Sequence, residues 1–259
     1  MAVASPPVRV EHHGAVAEIV LNDQDRGNVI DHAWTDAFVD AVDAIGVDDR
    51  CVLVRAEGAN FCFGGDVAGF GAADDPGAHI RSLADRLHQG LRLLAASEVP
   101  VVAAVQGWAT GAGMSLALAA DILVVGASAR FKTAYNGLGF TADGGMTWHL
   151  SRRVPPAIAT DLLLSDRVLG ADEARQLGLV SRVVADAELT SAARDLAGAI
   201  AGRSVTANRA VKRLLREAPL APLDTHLDAE AQAIETAADG PDGREGVAAF
   251  LARRPPSFG

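Results

Sequence analysis

The sequence predicts an α/β fold in which stacked strand-strand-helix turns precede a C-terminal helical layer. Residues 9–21 alternate around a His13-Gly14 turn as a hairpin does, and residues 34–45 carry apolar side chains at helical spacing. Strands and helices then recur without internal sequence similarity, which favours stacked turns over a Rossmann sheet. We therefore expect a spiral core over residues 1–185 and a helical region over residues 186–259.

The remaining elements follow in chain order. Asp31 precedes the first predicted helix and is suited to cap it. We next expect a strand over residues 51–55, a loop over 56–74, a helix from about 78 to 94, a strand at Val101, a helix at Met114 and a strand over 122–125. The C-terminal helices are predicted over residues 193–201, 207–217, 227–237 and 247–253, with a loop at 237–243.

Composition and net charge indicate what kind of core the chain can form and which ligands it can bind. Of the 259 residues, 49% are hydrophobic and only 5% are aromatic, so the core must consist mostly of Ala, Val and Leu. The formal net charge of −10 argues against binding to nucleic acid or to an anionic membrane, because phosphate-rich partners need a basic surface. Any anionic ligand should therefore meet a local basic cluster.

The number of cysteines and the N-terminal residues indicate the cellular compartment. Cys51 and Cys62 are too few for a disulfide framework or a zinc site, so we expect no bound metal and a reducing cytoplasm. Residues 1–7 have neither a basic start nor an apolar stretch of signal length, and export is not expected.

The stretch between Glu98 and Asp121 carries no charge and has glycines at its centre. It is long enough to span a bilayer, for which about 20 apolar residues suffice. Pro100, Gln106 and three glycines interrupt it, however, and both of its flanks are acidic. We interpret it as a buried strand, a glycine turn and a helix whose first N–H groups can bind an oxyanion.

Two glycine segments carry a resemblance to a known family. They are residues 58–66 (GANFCFGGD) and residues 103–115 (AAVQGWATGAGMS). In order and spacing they resemble the crotonase, or enoyl-CoA hydratase/isomerase, superfamily. The resemblance covers nearly the whole chain, continuing through residues 120–122, Phe131, Gly139, residues 143–145, 178–183 and 245–250.

The resemblance implies a crotonase-like spiral that holds an acyl-CoA, with two backbone N–H groups on the thioester oxygen. The matching positions are Gly65 and Ala112. Gly65 has no Cβ to block the approach, and Ala112 lies at the start of a helix whose dipole favours negative charge. Ala112 replaces the usual glycine, which keeps the N–H group and adds one methyl group.

The matched catalytic positions differ from those of a hydratase. Hydratases of the superfamily use two glutamates, and the corresponding residues here are Ser115 and Tyr135. Neither is a carboxylate base at neutral pH. Asp143 instead lies where the isomerase and aromatic dehalogenase branches carry a single catalytic aspartate. The alternative is that Asp143 only caps a helix over residues 144–150.

Two further residues join the predicted catalytic set. Tyr135, the only tyrosine, either donates a hydrogen bond near the acyl group or simply packs half-buried. His88 precedes Pro100 by about the interval seen in the dehalogenase branch, where a histidine is catalytic. The alternative is a structural or solvent-facing histidine on a helix.

Coenzyme A is expected as part of the substrate, with no permanently bound cofactor. By the resemblance, Arg26 matches a position that lines the adenine pocket, and Phe63 and Asp66 are also predicted to bind the CoA. Phe250 and Arg253 match C-terminal residues that reach the nucleotide, often from a neighbouring subunit. A solvated arginine and a core phenylalanine are the alternatives for Arg26, Phe250 and Arg253.

The function implied is a double-bond isomerase acting on an enoyl-CoA. The alternatives are hydrolysis or displacement using Asp143 with His88, a hydratase with an altered base, and a non-catalytic acyl-CoA-binding or RNA-binding member; the net charge argues against RNA. Relatives form trimers and paired trimers, and we expect a homotrimer or homohexamer here. The apolar stripes that favour shared surface include Leu196, Ile200, Val211, Leu214 and Leu215.

Overall fold

The computed structural model describes residues 5–259 and contains nine strands and eleven α-helices in that range. The strands are β1 (Val8–His13), β2 (Val16–Leu21), β3 (Cys51–Ala56), β4 (Val101–Val105), β5 (Trp108–Thr110), β6 (Ile122–Gly126), β7 (Arg130–Lys132), β8 (Leu169–Gly170) and β9 (Arg182–Val184). The helices are α1 (His32–Asp43), α2 (Val67–Ala72), α3 (Pro76–Ala96), α4 (Ala112–Leu118), α5 (Met146–Arg153), α6 (Pro156–Ser165), α7 (Ala171–Gln176), α8 (Leu189–Ala201), α9 (Val205–Glu217), α10 (Leu223–Asp239) and α11 (Pro241–Leu251).

Two sheets form the spiral. The larger has the order β1-β2-β3-β4-β6-β9, and only its β1-β2 hairpin is antiparallel. The smaller has the order β5-β7-β8. From β4 onward, strand pairs divide between the two sheets: β4 and β6 join the larger sheet, whereas β5 and β7, which directly follow them, join the smaller one. The predicted strand-strand-helix fold is confirmed.

The large sheet is buried on both faces. One face packs with α1, α3 and α4, where Trp34, Phe38 and Leu87 are among the largest buried side chains. The other face is covered by α8, whose Ala193 and Ala197 lie on the strands. Alanines at this spacing form one smooth helix face, which allows α8 to approach the sheet closely. The predicted division at residue 185 stays a prediction.

Several predicted elements are confirmed and others are wrong. The hairpin is present, and Asp31 accepts a 2.8 Å hydrogen bond from the Trp34 N–H as the N-cap of α1. The predicted loop over residues 56–74 contains α2. The loop predicted at residues 237–243 is reduced to Gly240, because proline is tolerated in the first turn of a helix and α11 therefore begins directly at Pro241.

The uncharged stretch between Glu98 and Asp121 forms β4, β5 and α4. Within residues 5–259, no helix combines the length and the apolar character needed to cross a bilayer. The expectation that export is absent rests on residues 1–7, and the first four of these lie outside the described residues.

Candidate active site

Gly65 lies at the end of the first glycine segment, where the backbone pairs with Ile30. The Ile30 N–H donates to the Gly64 oxygen at 2.8 Å, and the Asp66 N–H donates to the Ile30 oxygen at 3.0 Å. This pairing turns the Gly65 N–H away from Ile30, where it has no acceptor among the described residues. The N–H can therefore donate a hydrogen bond to an oxygen of a bound ligand.

Ala112 is the first residue of α4, and its N–H also has no acceptor in residues 5–259. Gly111 precedes it with a φ of 53°, a conformation that favours glycine. A Cβ added to Gly64 would lie 2.7 Å from the Thr110 oxygen and 3.4 Å from the Ala112 nitrogen. The structure thus brings the Gly65 and Ala112 segments together.

Asp143 lies between β7 and α5 and is held by two hydroxyl groups. The Tyr135 phenol donates a 2.6 Å hydrogen bond to Oδ1, and the Ser115 hydroxyl donates a 2.8 Å hydrogen bond to the backbone oxygen. The N-cap of α5 is Gly145, with no side-chain hydrogen bond. The interpretation of the Asp143 carboxylate as a helix cap is therefore wrong.

Tyr135 is a proton donor in this arrangement. Its side chain is partly buried, and burial together with the negative charge of Asp143 raises the pKa of the phenol well above its usual value of 10. The phenol therefore stays protonated and cannot act as a base at neutral pH. Its partner is Asp143, so Tyr135 does more than pack.

His88 extends from α3 to the same loop. Its Nε2 accepts a 3.0 Å hydrogen bond from the Gly144 N–H and lies 3.8 Å from Oδ2 of Asp143. Accepting this bond requires the lone pair on Nε2, so the neutral ring carries its proton on Nδ1. His88 therefore faces the site, and its Nε2 is already engaged.

The structure also places at the site residues that sequence reasoning missed. Gly144 packs on Ser115, and a Cβ atom at Gly65 would lie 2.7 Å from the ring of Phe70. Phe70 and Phe140 stand 6.3 Å apart between ring centroids. The Asp-Gly-Gly run was a signal for Gly144, whereas the contact between the two phenylalanines is long-range and had no local signal.

Arg26, Phe63 and Asp66 form one cluster beside the first glycine segment. Arg26 lies 2.7 Å from Asp31, 3.2 Å from Asp23 and 3.8 Å from Asp66, measured to the carboxylate oxygens. Phe63 is 44% exposed and lies on Gly27. Three carboxylates surround the arginine, so the local basic cluster expected for an anionic ligand is absent at this described site.

Phe250 and Arg253 lie elsewhere. Phe250 is 82% exposed on α11, which packs on α10, and Arg253 follows the helix on the surface. The chain end beyond them binds the side chain of Arg50, which precedes β3, whereas the first glycine segment follows β3. Within one chain, the structure does not bring these two residues to Arg26.

One cluster has metal-ligand geometry among the described residues. Glu11, His13 and Glu18 offer ligand atoms within 4.8 Å of one another. Glu18 is only 1% exposed and accepts hydrogen bonds from Arg55 at 2.7 Å and from Arg194 at 2.6 Å. Two guanidinium groups already balance the acids, so this cluster is an ionic network that links α8 to the sheet.

Comparisons with known proteins agree with this fold. The family model for enoyl-CoA hydratase/isomerase matches residues 11–259. The 1,2-epoxyphenylacetyl-CoA isomerase of Escherichia coli is 35% identical over 250 residues, covering 94% of each chain. The crotonyl-CoA hydratase of Syntrophomonas wolfei is 31% identical over 252 residues, covering 96% of each chain.

Solved structures give the same result. A Mycobacterium abscessus protein assigned to the enoyl-CoA hydratase/isomerases superposes with a TM-score of 0.94 at 35% identity, covering 97% of this chain and 99% of that one. The fold and these matches define the class as a crotonase-type protein, a class that acts on acyl-CoA substrates. The chain belongs to the enoyl-CoA hydratase/isomerase family.

Proposed function

We propose that this protein is an enoyl-CoA isomerase that uses Asp143 as its single acid/base. One observation carries the proposal: Ser115 and Tyr135 stand at the positions matched to the hydratase glutamates, and both hydrogen-bond to Asp143. A carboxylate beside a thioester site is suited to move one proton.

In the proposed reaction, the N–H groups of Gly65 and Ala112 bind the thioester oxygen. The Asp143 carboxylate removes a proton from Cα of a 3-enoyl-CoA, and the electron pair enters a dienolate stabilised by the two N–H groups. The carboxylic acid then returns the proton to Cγ, which leaves a 2-enoyl-CoA. One proton is taken and one is returned, so no second carboxylate is needed.

Two alternatives are less well supported. Hydrolysis or displacement through Asp143 needs His88 to activate water, and Nε2 of His88 already accepts the Gly144 N–H. The isomerase name of the Escherichia coli relative supports isomerisation, whereas the Syntrophomonas wolfei relative keeps an altered hydratase as the second candidate.

The proposal extends to binding and assembly. Coenzyme A enters as part of the substrate and no cofactor is permanently bound. Arg26, Phe63 and Asp66 lie on the CoA side of the core, and Phe250 and Arg253 reach the nucleotide from a neighbouring subunit of a homotrimer or homohexamer. The two buried, free cysteines support a cytoplasmic location.

Product analysis tests the function. The protein is incubated separately with 3-hexenoyl-CoA and 2-hexenoyl-CoA, and the products are separated by chromatography and identified by mass spectrometry. Interconversion of the two substrates is the predicted result. A free acid indicates hydrolysis, a 3-hydroxyacyl-CoA indicates hydration, and unchanged substrate indicates a non-catalytic binding protein; each of these three results contradicts the proposal.

A further inference from the structure

The two hydroxyl groups at Asp143 fix different parts of the residue. The Tyr135 phenol holds the side chain through Oδ1, and the fully buried Ser115 holds the backbone through the carbonyl oxygen. The two hydroxyl oxygens lie 3.4 Å apart, so both restraints come from one side of the loop.

The two carboxylate oxygens are therefore not equivalent. Oδ1 accepts the 2.6 Å bond from Tyr135, whereas Oδ2 accepts no hydrogen bond within the described chain. Nε2 of His88 lies 3.8 Å from Oδ2 and already accepts a hydrogen bond from the Gly144 N–H. Oδ2 keeps free lone pairs in a side chain that is 32% exposed.

We propose that Ser115 and Tyr135 are positioning residues that make Oδ2 of Asp143 the oxygen that carries the transferred proton, an inference that rests on the proposed isomerase function. The Cα–H bond breaks as the Oδ2–H bond forms, and the electron pair passes into the dienolate. The Oδ2–H bond then breaks as the Cγ–H bond forms. Tyr135 donates to Oδ1 throughout and exchanges no proton with the substrate.

This assignment predicts how the proton is partitioned. A carboxyl group held in one orientation delivers its proton to Cγ, while one that rotates returns it more often to Cα or exchanges it with water. Loss of either hydroxyl should therefore slow isomerisation more than it slows removal of the Cα proton. A residue with a purely structural role would not change this ratio.

The first test measures the ratio in deuterium oxide. Tyr135→Phe and Ser115→Ala are compared with Thr133→Val, which removes a buried hydroxyl bonded to Leu162 and Asp166 rather than to Asp143. We expect kcat of Tyr135→Phe to fall about 10- to 100-fold, since its hydrogen bond is to a charged group, and kcat of Ser115→Ala to fall about 2- to 10-fold, since its bond is to a neutral carbonyl. KM should stay within about threefold in both. Deuterium at Cα of recovered substrate, relative to product formed, should rise in both and stay unchanged in Thr133→Val.

The second test does not depend on turnover. The carboxyl carbon of Asp143 is followed by ¹³C NMR, assigned by its loss in Asp143→Asn. In Tyr135→Phe the carboxyl resonance at neutral pH should change its chemical shift, because the carboxylate loses the hydrogen bond from the phenol. Ser115→Ala, which removes the contact to the Asp143 backbone, should change it much less.

The outcomes separate the two claims. If the unmodified protein neither isomerises nor exchanges, the isomerase function fails and the NMR measurement alone decides whether Tyr135 holds Oδ1. An unchanged carboxyl resonance in Tyr135→Phe overturns the positioning role. In an active protein, an exchange ratio in Tyr135→Phe equal to that of Thr133→Val overturns it as well.

Discussion

Gly144 lies so close to Ser115 that a Cβ atom added to the glycine would stand 2.7 Å from Cβ of the serine. Gly144 also has a φ of 60°, in the left-handed region that favours glycine. The backbone that carries Asp143 therefore rests directly on position 115. A larger side chain there must displace that backbone and the Asp143 carboxylate with it.

The contact predicts the outcome of restoring the hydratase glutamates. The double variant Ser115→Glu/Tyr135→Glu should hydrate crotonyl-CoA weakly at most, because the longer side chain at position 115 displaces the loop and no water site is shaped between the new carboxylates. Loss of the enoyl absorbance of crotonyl-CoA measures hydration. Rapid hydration by the unmodified protein would show that Ser115 and Tyr135 do not exclude this chemistry.

The oxyanion site can be tested by removing one N–H group. Ala112 is the first residue of α4, a position at which proline fits the helix. Ala112→Pro should lower kcat about 10²- to 10³-fold, the cost of one oxyanion donor. Circular dichroism should show unchanged helix content. A variant with full activity would remove the Ala112 N–H from the mechanism.

The sequence predicted the elements with strong periodicity. The β1-β2 hairpin, α1 and α3 each have a regular apolar pattern that is set by burial on one face. Strands β5 and β7 were missed because three residues are too few to show alternation. The loop predicted at 237–243 was wrong because glycine and proline often mark loops, whereas proline is also favoured in a first helical turn.

The site was predictable to a different extent. The family resemblance predicted Gly65, Ala112 and Asp143, since these positions belong to two short segments and one turn that match the family's motifs. The Tyr135–Asp143 bond was not predicted, because it joins side chains across an irregular loop. Two of the three carboxylates at Arg26, those of Asp23 and Asp31, are close to it in sequence, and only Asp66 is brought there by tertiary structure.

The stability of the folded state should depend on pH through the carboxylate of Glu18. Burial raises the pKa of Glu18, but hydrogen bonds from Arg194 and Arg55 outweigh burial and lower the pKa from 4.5 to about 2. The folded state is thus stabilised above pH 4.5, and this stabilisation is lost as the pH falls through 2. Urea unfolding from about pH 7 to about pH 2 measures it.

Substitution tests the same carboxylate. Glu18→Gln should lower the free energy of unfolding at neutral pH by at most about 3 kcal/mol, since Arg194 is partly solvated, and should flatten the loss of stability in acid. Glu230→Gln, at a side chain that is 52% exposed, is the control and should change neither. If the free energy of unfolding falls with pH equally in Glu18→Gln and in the unmodified protein, Glu18 does not cause the loss of stability in acid.

Assembly is predicted from the exposed apolar side chains of the helical region. Leu196 and Ile200 pack on the sheet within the chain, but Val211 is 55% exposed and Leu215 is 71% exposed. Further exposed residues on these helices are Leu220, Leu223, Ile234, Val247 and Leu251. Light scattering should show a trimer or hexamer, and a stable monomer at micromolar concentration would contradict a shared interface.

The C-terminal helix should complete the nucleotide pocket. Truncation before Gly243 removes most of α11. It should clearly weaken CoA binding and lower the melting temperature of the spiral core only slightly. Phe250→Ala and Arg253→Ala in the full chain should also weaken binding, with Ala248→Ser, at an exposed position on the same helix, as the control. Calorimetric titration with CoA measures the affinity, and an unchanged affinity after truncation would remove α11 from the pocket.

The central claim is that Asp143 alone carries the proton, and Asp143→Asn tests it most directly. The amide cannot accept the Cα proton, whereas the N–H groups and the nucleotide contacts remain. Conversion of 3-hexenoyl-CoA to 2-hexenoyl-CoA should fall by at least about 10²-fold, the usual worth of general acid/base catalysis, while acyl-CoA affinity stays within about tenfold. Isomerisation at the unmodified rate would contradict the account.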